Sequence, residues 1–270
     1  MISSPEPLPQ GNVAGVPPEL PPPRLPLRAW LTMYARLLTV QGAWNYESMM
    51  GTGIGFCTEP ALRAMPGGRS GPAYHEALAR ESRYFNAHPY LAALAVGALA
   101  RAELEGRPAA QIERFRAAMC GPLGSVGDRL VWGGWLPLSS LLALLVFGAG
   151  ASGWLALATF LVVYNAGHLG LRAWALHTGW HHGLRVAAAL GRPVLRQGPA
   201  HVSRAVALLA GAAVPLVLHR ILAIGPALTA GAVAVGALGA LALILLRGRL
   251  EGWRLAFAVL VALTLASVVL

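Results

Sequence analysis

The amino-acid sequence predicts an all-α integral membrane protein, and three observations lead to that fold class. Hydrophobic residues make up 56% of the 270 residues and charged residues only 12%, which is about half the charged share of an ordinary soluble domain. Apolar runs of helical length fill the C-terminal half, and glycine and proline interrupt them at intervals. We therefore expect an N-terminal amphipathic helix, Gly-rich re-entrant or broken helices, and several C-terminal transmembrane helices.

The N-terminal segment divides into a tail and an amphipathic helix. Residues 1–26 are rich in proline without apolar periodicity, so we expect a disordered tail; no apolar stretch of the kind found in a secretory signal follows the first methionine. In residues 27–40, the apolar side chains of Trp30, Tyr34 and Leu38 recur at helical spacing among arginines. This pattern predicts a helix that lies in the membrane interface without spanning it.

Two glycine-rich stretches, residues 41–60 and 119–135, predict a broken backbone. The second stretch holds five glycines, one proline and Asp128, the only aspartate of the chain. Glycine costs about 1 kcal/mol and proline about 3 kcal/mol relative to alanine inside a helix. Irregular backbone at membrane depth is tolerated where protein or water satisfies its polar groups, so we interpret the stretch as a re-entrant or pore-lining element. A solvent loop before the first full span is the alternative.

A short apolar helix is predicted at residues 90–100, between two charged segments at 72–86 and 101–116 that are helical by pattern. Eleven residues of helix rise only about 16 Å, whereas the hydrocarbon core of a bilayer is ~30 Å thick. We therefore expect this helix to be half-spanning or to lie in the interface.

The clear spans follow residue 136. Apolar runs at 138–147 and 154–164 are divided by Gly148-Ala-Gly150, and they fit either one long broken helix or a hairpin of two short helices. A polar, arginine-bearing connection is expected over residues 172–204. Three further apolar runs predict the remaining spans, at residues 205–222, 227–246 and 253–270.

The charge distribution sets the expected topology. All 21 basic residues are arginines and the net charge is +10, but the arginines are spread along the chain between apolar runs, which is typical of membrane anchors and not of a nucleic-acid-binding face. Arginine clusters at 185–204 and 247–254 flank an even number of crossings, so both are predicted to be cytoplasmic, with the C-terminus outside. The expected parts are an amphipathic and re-entrant part at 27–135 and a transmembrane part at 136–175 and 204–270.

Histidine and cysteine offer little support for a metal site. His177 and His181 have i,i+4 spacing, and His168 and His182 are close in sequence, but no cysteine or carboxylate occurs between residues 131 and 250. Interfacial histidines are therefore the favoured interpretation, and we expect no metal and no cofactor. The two cysteines, Cys57 and Cys120, favour buried thiols over a disulfide.

Five polar residues in apolar, glycine-rich surroundings are the candidate binding residues. An ionised acid in such surroundings needs a pore, a partner or a cation, and amides suit the hydroxyl groups of sugars. The alternatives are that Asp128 caps a helix or pairs with Arg129, and that the amides are structural. The five candidates are Gln41, Asn45, Glu47, Asn86 and Asp128.

Four motifs stand out between residues 28 and 182. They are Gln41-Gly-Ala-Trp-Asn-Tyr-Glu, Gly55-Phe-Cys57 with Pro60-Ala-Leu, Phe85-Asn-Ala-His-Pro89, and Gly121-Pro-Leu-Gly-Ser-Val-Gly-Asp128 with Trp132-Gly. In the same order, they resemble the IID component of the mannose/fructose/sorbose family of the sugar phosphotransferase system (PTS).

The resemblance implies a subunit of the bacterial inner membrane with a cytoplasmic N-terminus. Such a subunit pairs with a IIC membrane subunit to form the path of a hexose, within an oligomeric complex, while histidines of the IIA and IIB proteins carry the phosphoryl group. This chain is then neither catalytic nor phosphorylated, and the five candidate residues come together near the mouth of the sugar path.

Two alternatives stay open at this stage. Ser48, Arg83 and Arg129 differ from the residues common in the family, which leaves room for a regulatory or scaffolding subunit that passes no sugar. An unrelated membrane enzyme that uses the histidines of residues 177–182 is the third hypothesis.

Overall fold

A computed structural model of the chain describes residues 23–186, 193–223 and 225–245. The described part is helical, with three helical stretches long and apolar enough to cross a membrane, at Ala109–Gly148, Gly153–Val186 and Gln197–Leu222. The predicted all-α membrane fold is thereby confirmed. Most of the predicted tail and the predicted last span at 253–270 lie outside the described residues.

Nine α-helices and one π-helix form the described fold. In chain order they are α1 (Leu27–Leu37), α2 (Gly51–Leu62), α3 (Pro72–Glu81), α4 (Ala92–Leu104), α5 (Ala109–Gly127), the π-helix (Asp128–Trp135), α6 (Leu136–Gly148), α7 (Gly153–His182), α8 (Pro193–Leu222) and α9 (Pro226–Leu245). Short 3₁₀ helices occur at Gly68–Ser70 and Gly183–Val186.

Helix α1 is amphipathic, as the sequence predicts. Met33 and Leu37 are fully buried against the core, whereas the apolar side chains of Leu27 and Leu31 are exposed. A helix with one face on protein and an apolar outer edge suits the membrane interface. The helix ends at Leu37, where turns replace the predicted last residues.

Helix α4 differs from the expectation of a half-spanning or interfacial piece, because it is buried in the core of the subunit. Its residues from Ala92 to Glu103 are shielded, and it packs against α7 and α2. Glycines permit the crossing with α7: a Cβ on Gly97 would lie 2.4 Å from the carbonyl oxygen of Leu176, and one on Gly179 would lie 2.1 Å from that of Leu94. The apolar character of α4 therefore reflects protein packing and not contact with lipid.

Glu59 ties the short N-terminal helices together. Its carboxylate is nearly buried on α2 and accepts hydrogen bonds from Arg36 of α1, Arg63, Arg69 and Tyr74 of α3, at 2.7 to 3.2 Å. Although burial opposes ionisation, these hydrogen bonds lower the pKa of Glu59 to about 2. An ionised acid with this many donors fixes the relative positions of three segments.

The glycine-rich stretch at 119–135 is helical and not a re-entrant loop. Helix α5 runs through residue 127, and the break takes the form of the eight-residue π-helix that joins it to α6. Packing overrides the unfavourable propensity, because Gly127 allows His88 to approach so closely that a Cβ would lie 2.1 Å from the His88 Cβ. π-Helical segments are frequent at functional sites. The other glycine-rich stretch likewise becomes helical from Gly51 onward, in α2.

The C-terminal helices form hairpins. Residues 149–152 separate α6 from α7, with Gly150 at a φ of 107°, and the two helices pack against each other, which favours the hairpin over one broken helix. Helix α7 continues to His182, so the predicted connection at 172–204 is too long: Arg172 and Thr178 are polar but buried against the core. Helices α8 and α9 pack against each other and α8 also packs on α6.

The two cysteines are free thiols. Cys57 is buried in α2, and this burial raises its pKa to about 12, whereas Cys120 of α5 is half-buried.

Candidate functional site

Backbone hydrogen bonds join three segments that are far apart in sequence. The backbone N–H of Met50 donates to the carbonyl of Phe85 at 2.9 Å, and the N–H of Phe85 donates to Ser48 at 3.2 Å. The N–H of His88 donates to the carbonyl of Leu123 on α5 at 3.4 Å. Backbone contacts therefore join the segments that carry the predicted binding residues.

Asn45 shapes its own loop. Its Oδ1 accepts hydrogen bonds from the backbone N–H groups of Glu47 at 2.9 Å and Ser48 at 2.8 Å, and its Nδ2 donates to the Ser48 hydroxyl at 2.9 Å. This is the local turn that asparagine side chains favour. Asn45 and Glu47 are both exposed to solvent.

Gln41, Asn86 and Asp128 are also exposed. Asn86 lies beside α5, where its backbone N–H donates to the Cys120 sulfur at 3.5 Å. Arg129 donates to the carbonyl of Ser125, and none of the ion pairs between described residues joins it to Asp128, an alternative that the sequence left open. Within the described chain, no hydrogen bond joins the side chains of two of the five candidate residues. The backbone segments therefore meet without direct hydrogen bonds between these side chains.

Exposed aromatic side chains accompany the five polar residues. Trp44 and Tyr46 pack edge to face with ring centroids 4.8 Å apart, and Tyr46 remains 85% exposed. Tyr84 and Trp132 are about half exposed. Exposed aromatic rings beside polar groups are typical of surfaces that bind a partner or a ligand. We call this surface the polar–aromatic face; its residues are Gln41, Trp44, Asn45, Tyr46, Glu47, Tyr84, Asn86, Asp128 and Trp132.

A group of aromatic and histidine rings, which we call the Tyr90 cluster, contacts this face through Trp132; His88 and Tyr90 are buried, and His168 and Tyr164 are half-buried. The Tyr90 ring contacts the rings of His88 at 4.9 Å, His168 at 5.1 Å and Trp132 at 5.9 Å. Its hydroxyl is 2.5 Å from that of Tyr164. Trp132 belongs to both groups, so the Tyr90 cluster supports the polar–aromatic face from within.

His88 is neutral in this setting. It is 1% exposed, and burial together with the positive charge of Arg172 lowers its pKa to about 4. The Arg172 guanidinium carbon lies 4.4 Å from the centre of the Tyr90 ring. His88 Nε2 has no hydrogen-bond partner among the described residues.

The sequence interpretation missed the Tyr90 cluster, although one signal was present. Tyr164, His168 and Arg172 are spaced i, i+4 and i+8, so they share one face of α7. A polar stripe at this spacing on an apolar helix indicates a face that turns toward protein.

The histidines near the end of α7 do not form a cluster of metal ligands. The rings of His177 and His181 are 4.1 Å apart, and His182 Nδ1 lies 2.9 Å from the Thr178 carbonyl. In the residues that the structure describes, no three His, Cys, Asp or Glu side chains are grouped to hold a metal ion.

Comparison with known proteins decides the family. The family model of the PTS system mannose/fructose/sorbose family IID component matches residues 25–220. The chain belongs to this family. This result confirms the family resemblance that the four sequence motifs indicated. The matched range contains the whole polar–aromatic face and the Tyr90 cluster.

Curated relatives carry the same family description. The mannose-specific EIID component of Escherichia coli (strain K12) is 26% identical over 170 residues, which are 61% of this chain and 59% of that protein. The fructose permease IID component of Bacillus subtilis (strain 168) is 30% identical over 169 residues, 60% of each chain. The chain thus matches about three fifths of the length of each of these relatives.

Solved structures share the fold. A chain of the cryo-EM structure of the mannose transporter ManYZ in complex with microcin E492 is 25% identical, with a TM-score of 0.54 over 70% of both chains. A second structure, of a membrane protein, is 21% identical, with a TM-score of 0.61 over 88% of this chain and 95% of its own. The second likeness concerns the fold alone.

Proposed function

We propose that this IID component pairs with a IIC subunit to form the sugar path of a mannose-family PTS permease in the bacterial inner membrane. In this proposal the IIA and IIB proteins carry the phosphoryl group, and this chain binds and orients a hexose without being phosphorylated. The observation that carries the proposal is the polar–aromatic face, a set of exposed polar and aromatic side chains on a membrane subunit.

The chemistry of the face supports a protein partner and a sugar. An acid such as Asp128, exposed at the start of the π-helix, is costly against lipid, so the surface needs a polar or protein cover. Amides such as Asn86 offer both donors and acceptors to hydroxyl groups. The exposed rings of Tyr46 and Trp132 supply flat apolar area with a polar edge, which suits both a pyranose and an interface.

The regulatory or scaffolding alternative rests on the three residues that depart from the family pattern, and each is accommodated locally. Ser48 completes the Asn45 turn, Arg83 pairs with Glu113 at 2.5 Å, and Arg129 donates to a backbone carbonyl. None of these contacts closes the polar–aromatic face. The geometry therefore favours transport.

The orientation of the subunit is part of the proposal. The arginines from 185 to 204 support a cytoplasmic connection between α7 and α8. A cysteine introduced beside Arg192, in the segment outside the described residues, should react with a membrane-impermeant thiol reagent only from the cytoplasmic side. Labelling from the periplasm would contradict this orientation.

Sugar uptake tests the proposal. Vesicles that contain the chain and its IIC partner, with phosphorylated IIB inside, should accumulate labelled hexose as sugar phosphate. Asn86→Ala should lower uptake about tenfold, which corresponds to the loss of one or two hydrogen bonds to the sugar. Gln111→Ala, which removes an exposed amide near the start of α5, is the matched control and should leave uptake unchanged. Equal uptake by both variants in an assembled complex would contradict a sugar contact at Asn86.

A further inference from the structure

The three buried arginines of the described chain differ in one respect. Arg101 and Arg116, 2% and 4% exposed, each donate to a glutamate at 2.5 Å, which are Glu105 and Glu81. Arg172 is 5% exposed, yet no carboxylate and no hydrogen-bond acceptor contacts its guanidinium within the described residues. The guanidinium lies over the Tyr90 ring instead, in a cation–π interaction. Within the described residues, two of the three buried arginines therefore have a carboxylate counter-ion, whereas Arg172 has none.

A buried guanidinium without an anion is energetically costly, and its planar fork matches the oxygen atoms of a phosphate or carboxylate. The surroundings of Arg172 show the same deficit. Four buried side-chain N or O atoms lack a hydrogen-bond partner in the described chain, and three of them, Arg172 Nε, His168 Nδ1 and His88 Nε2, belong to residues packed on the Tyr90 ring. Buried polar atoms grouped in this way suit a ligand that offers them oxygen atoms and a hydroxyl group.

His168 specifies a second feature of that ligand. Asn165 Nδ2 donates to the carbonyl of Leu161 at 2.6 Å, which leaves Asn165 Oδ1 to accept from His168 Nε2 at 2.9 Å. Nδ1 of the neutral ring is then an acceptor, one helical turn from Arg172 on the same face of α7. The site thus combines a cation for an anionic group with an acceptor for a hydroxyl.

The position of Arg172 along α7 indicates where this ligand comes from. Trp154, near the start of the helix, is 81% exposed, and exposed apolar residues continue to Leu169. Arg172 follows Trp154 by 18 residues, a rise of about 27 Å, close to the ~30 Å thickness of the hydrocarbon core. Arg172 therefore reaches the level at which lipid phosphates lie.

Helix α1 marks the same level independently. It is the amphipathic helix with an exposed apolar edge, and the Tyr34 hydroxyl donates to the carbonyl of Leu169 at 2.9 Å. An interfacial helix bonded to α7 one turn before Arg172 sets the membrane surface at this point.

We propose that Arg172 and His168 bind the headgroup of an anionic phospholipid that carries a hydroxyl group, such as phosphatidylglycerol, at the junction of α1 and α7. The guanidinium pairs with the phosphate and His168 Nδ1 accepts from the hydroxyl. This lipid site does not depend on the transport proposal. A soluble phosphate ester with a hydroxyl group has the same chemistry as this lipid headgroup. The test therefore distinguishes the lipid from a soluble ester.

The experiment uses the full chain in nanodiscs of phosphatidylcholine, alone or with phosphatidylglycerol. The melting temperature and the lipids that stay bound in native mass spectrometry are measured for the wild type, Arg172→Met and Arg114→Met, the last a matched control at an exposed arginine of α5. The wild type and the control should retain phosphatidylglycerol and melt at a higher temperature when it is present. Arg172→Met should bind this lipid at least about tenfold more weakly.

Two further arms keep the proposal falsifiable. In phosphatidylcholine alone, Arg172→Met should melt no lower than the wild type, because it removes a buried charge that no carboxylate among the described residues neutralises. A lower melting temperature would mean a structural arginine and would overturn the proposal. Glycerol phosphate added to these discs should not reproduce the stabilisation; if it does, the site takes a soluble ester. Retention of phosphatidylglycerol by Arg172→Met would also overturn the proposal. So would a wild type that retains no phosphatidylglycerol, and in that case a carboxylate of a partner chain would be the counter-ion.

Discussion

The N-terminal helices and the C-terminal hairpins of this IID component are stabilised in different ways. Among the described residues, all eight ion pairs join side chains between Arg36 and Arg116. From residue 131 to residue 250 the sequence contains no acid at all, and the apolar stretch of α7 faces outward. In the N-terminal region, arginines pair with glutamates, as in a soluble protein. The C-terminal region depends on helix packing and contact with lipid.

Ion pairing and close helix packing therefore suit helices of different length. A glutamate such as Glu59 organises short helices that are too small to be stable by themselves. Long helices with all their backbone hydrogen bonds internal need only close contact, which glycines such as Gly211 and Gly236 provide between α8 and α9. Both occur where α4 packs on α7: Gly97 and Gly179 allow the close crossing, and Arg101 of α4 pairs with Glu105.

The largest expected effect is the loss of Glu59. Glu59→Ala leaves four donors without their acceptor, one of them the mostly buried Arg36, so we expect destabilisation of about 3 kcal/mol or more. Denaturant titration in detergent, followed by tryptophan fluorescence, measures it. Glu76→Ala, at an exposed position of α3, should change stability by less than ~0.5 kcal/mol. Similar values for the two variants would mean that ion pairing does not organise the N-terminal region.

The pH dependence of stability sharpens the same comparison. The pKa of Glu59 falls from 4.5 to about 2 on folding, so its contribution is fully present above pH 4.5 and is lost as the pH falls toward 2. The contribution amounts to about 3 kcal/mol. The stability difference between the wild type and Glu59→Gln should therefore shrink over this pH window. A difference that stays constant from pH 6 to pH 3 would contradict the assignment.

The contact between the two regions should be sensitive to a single methyl group. Gly179→Ala places a Cβ about 2 Å from the backbone of α4, so the helices must separate, and we expect a cost of about 1–3 kcal/mol. Gly170→Ala, on the same helix with no atom within 4 Å of its Cβ, should be neutral or stabilise by up to ~1 kcal/mol. Thermal unfolding of both variants distinguishes a packing effect from a helix-propensity effect; equal shifts would disprove the close crossing.

Features with a local cause were predictable from the sequence. Helical periodicity located α1, and hydropathy located the C-terminal helices. The π-helix was not predictable from the sequence. The glycines of residues 119–135 have low helix propensity, and the contact of Gly127 with His88 that favours the helix is a tertiary contact.

The Tyr90 cluster was missed for a related reason. Tyr90 and Tyr164 are 74 positions apart, and no local pattern joins them. The burial of α4 was missed likewise, since an apolar run has the same composition whether protein or lipid surrounds it. The five candidate binding residues stay predictions, and the structure adds their exposure and their neighbours.

Asp128→Asn tests the central proposal most directly, because it keeps the shape of the side chain and removes its charge from the polar–aromatic face. In vesicles with the IIC subunit and phosphorylated IIB, both complex assembly and hexose uptake are measured, with Glu76→Gln as the control for charge. We predict that the variant assembles with IIC in parental amounts and takes up sugar at least about tenfold more slowly. Parental uptake in an assembled complex would contradict a role for this face in the sugar path, and loss of assembly would assign Asp128 to the subunit interface alone.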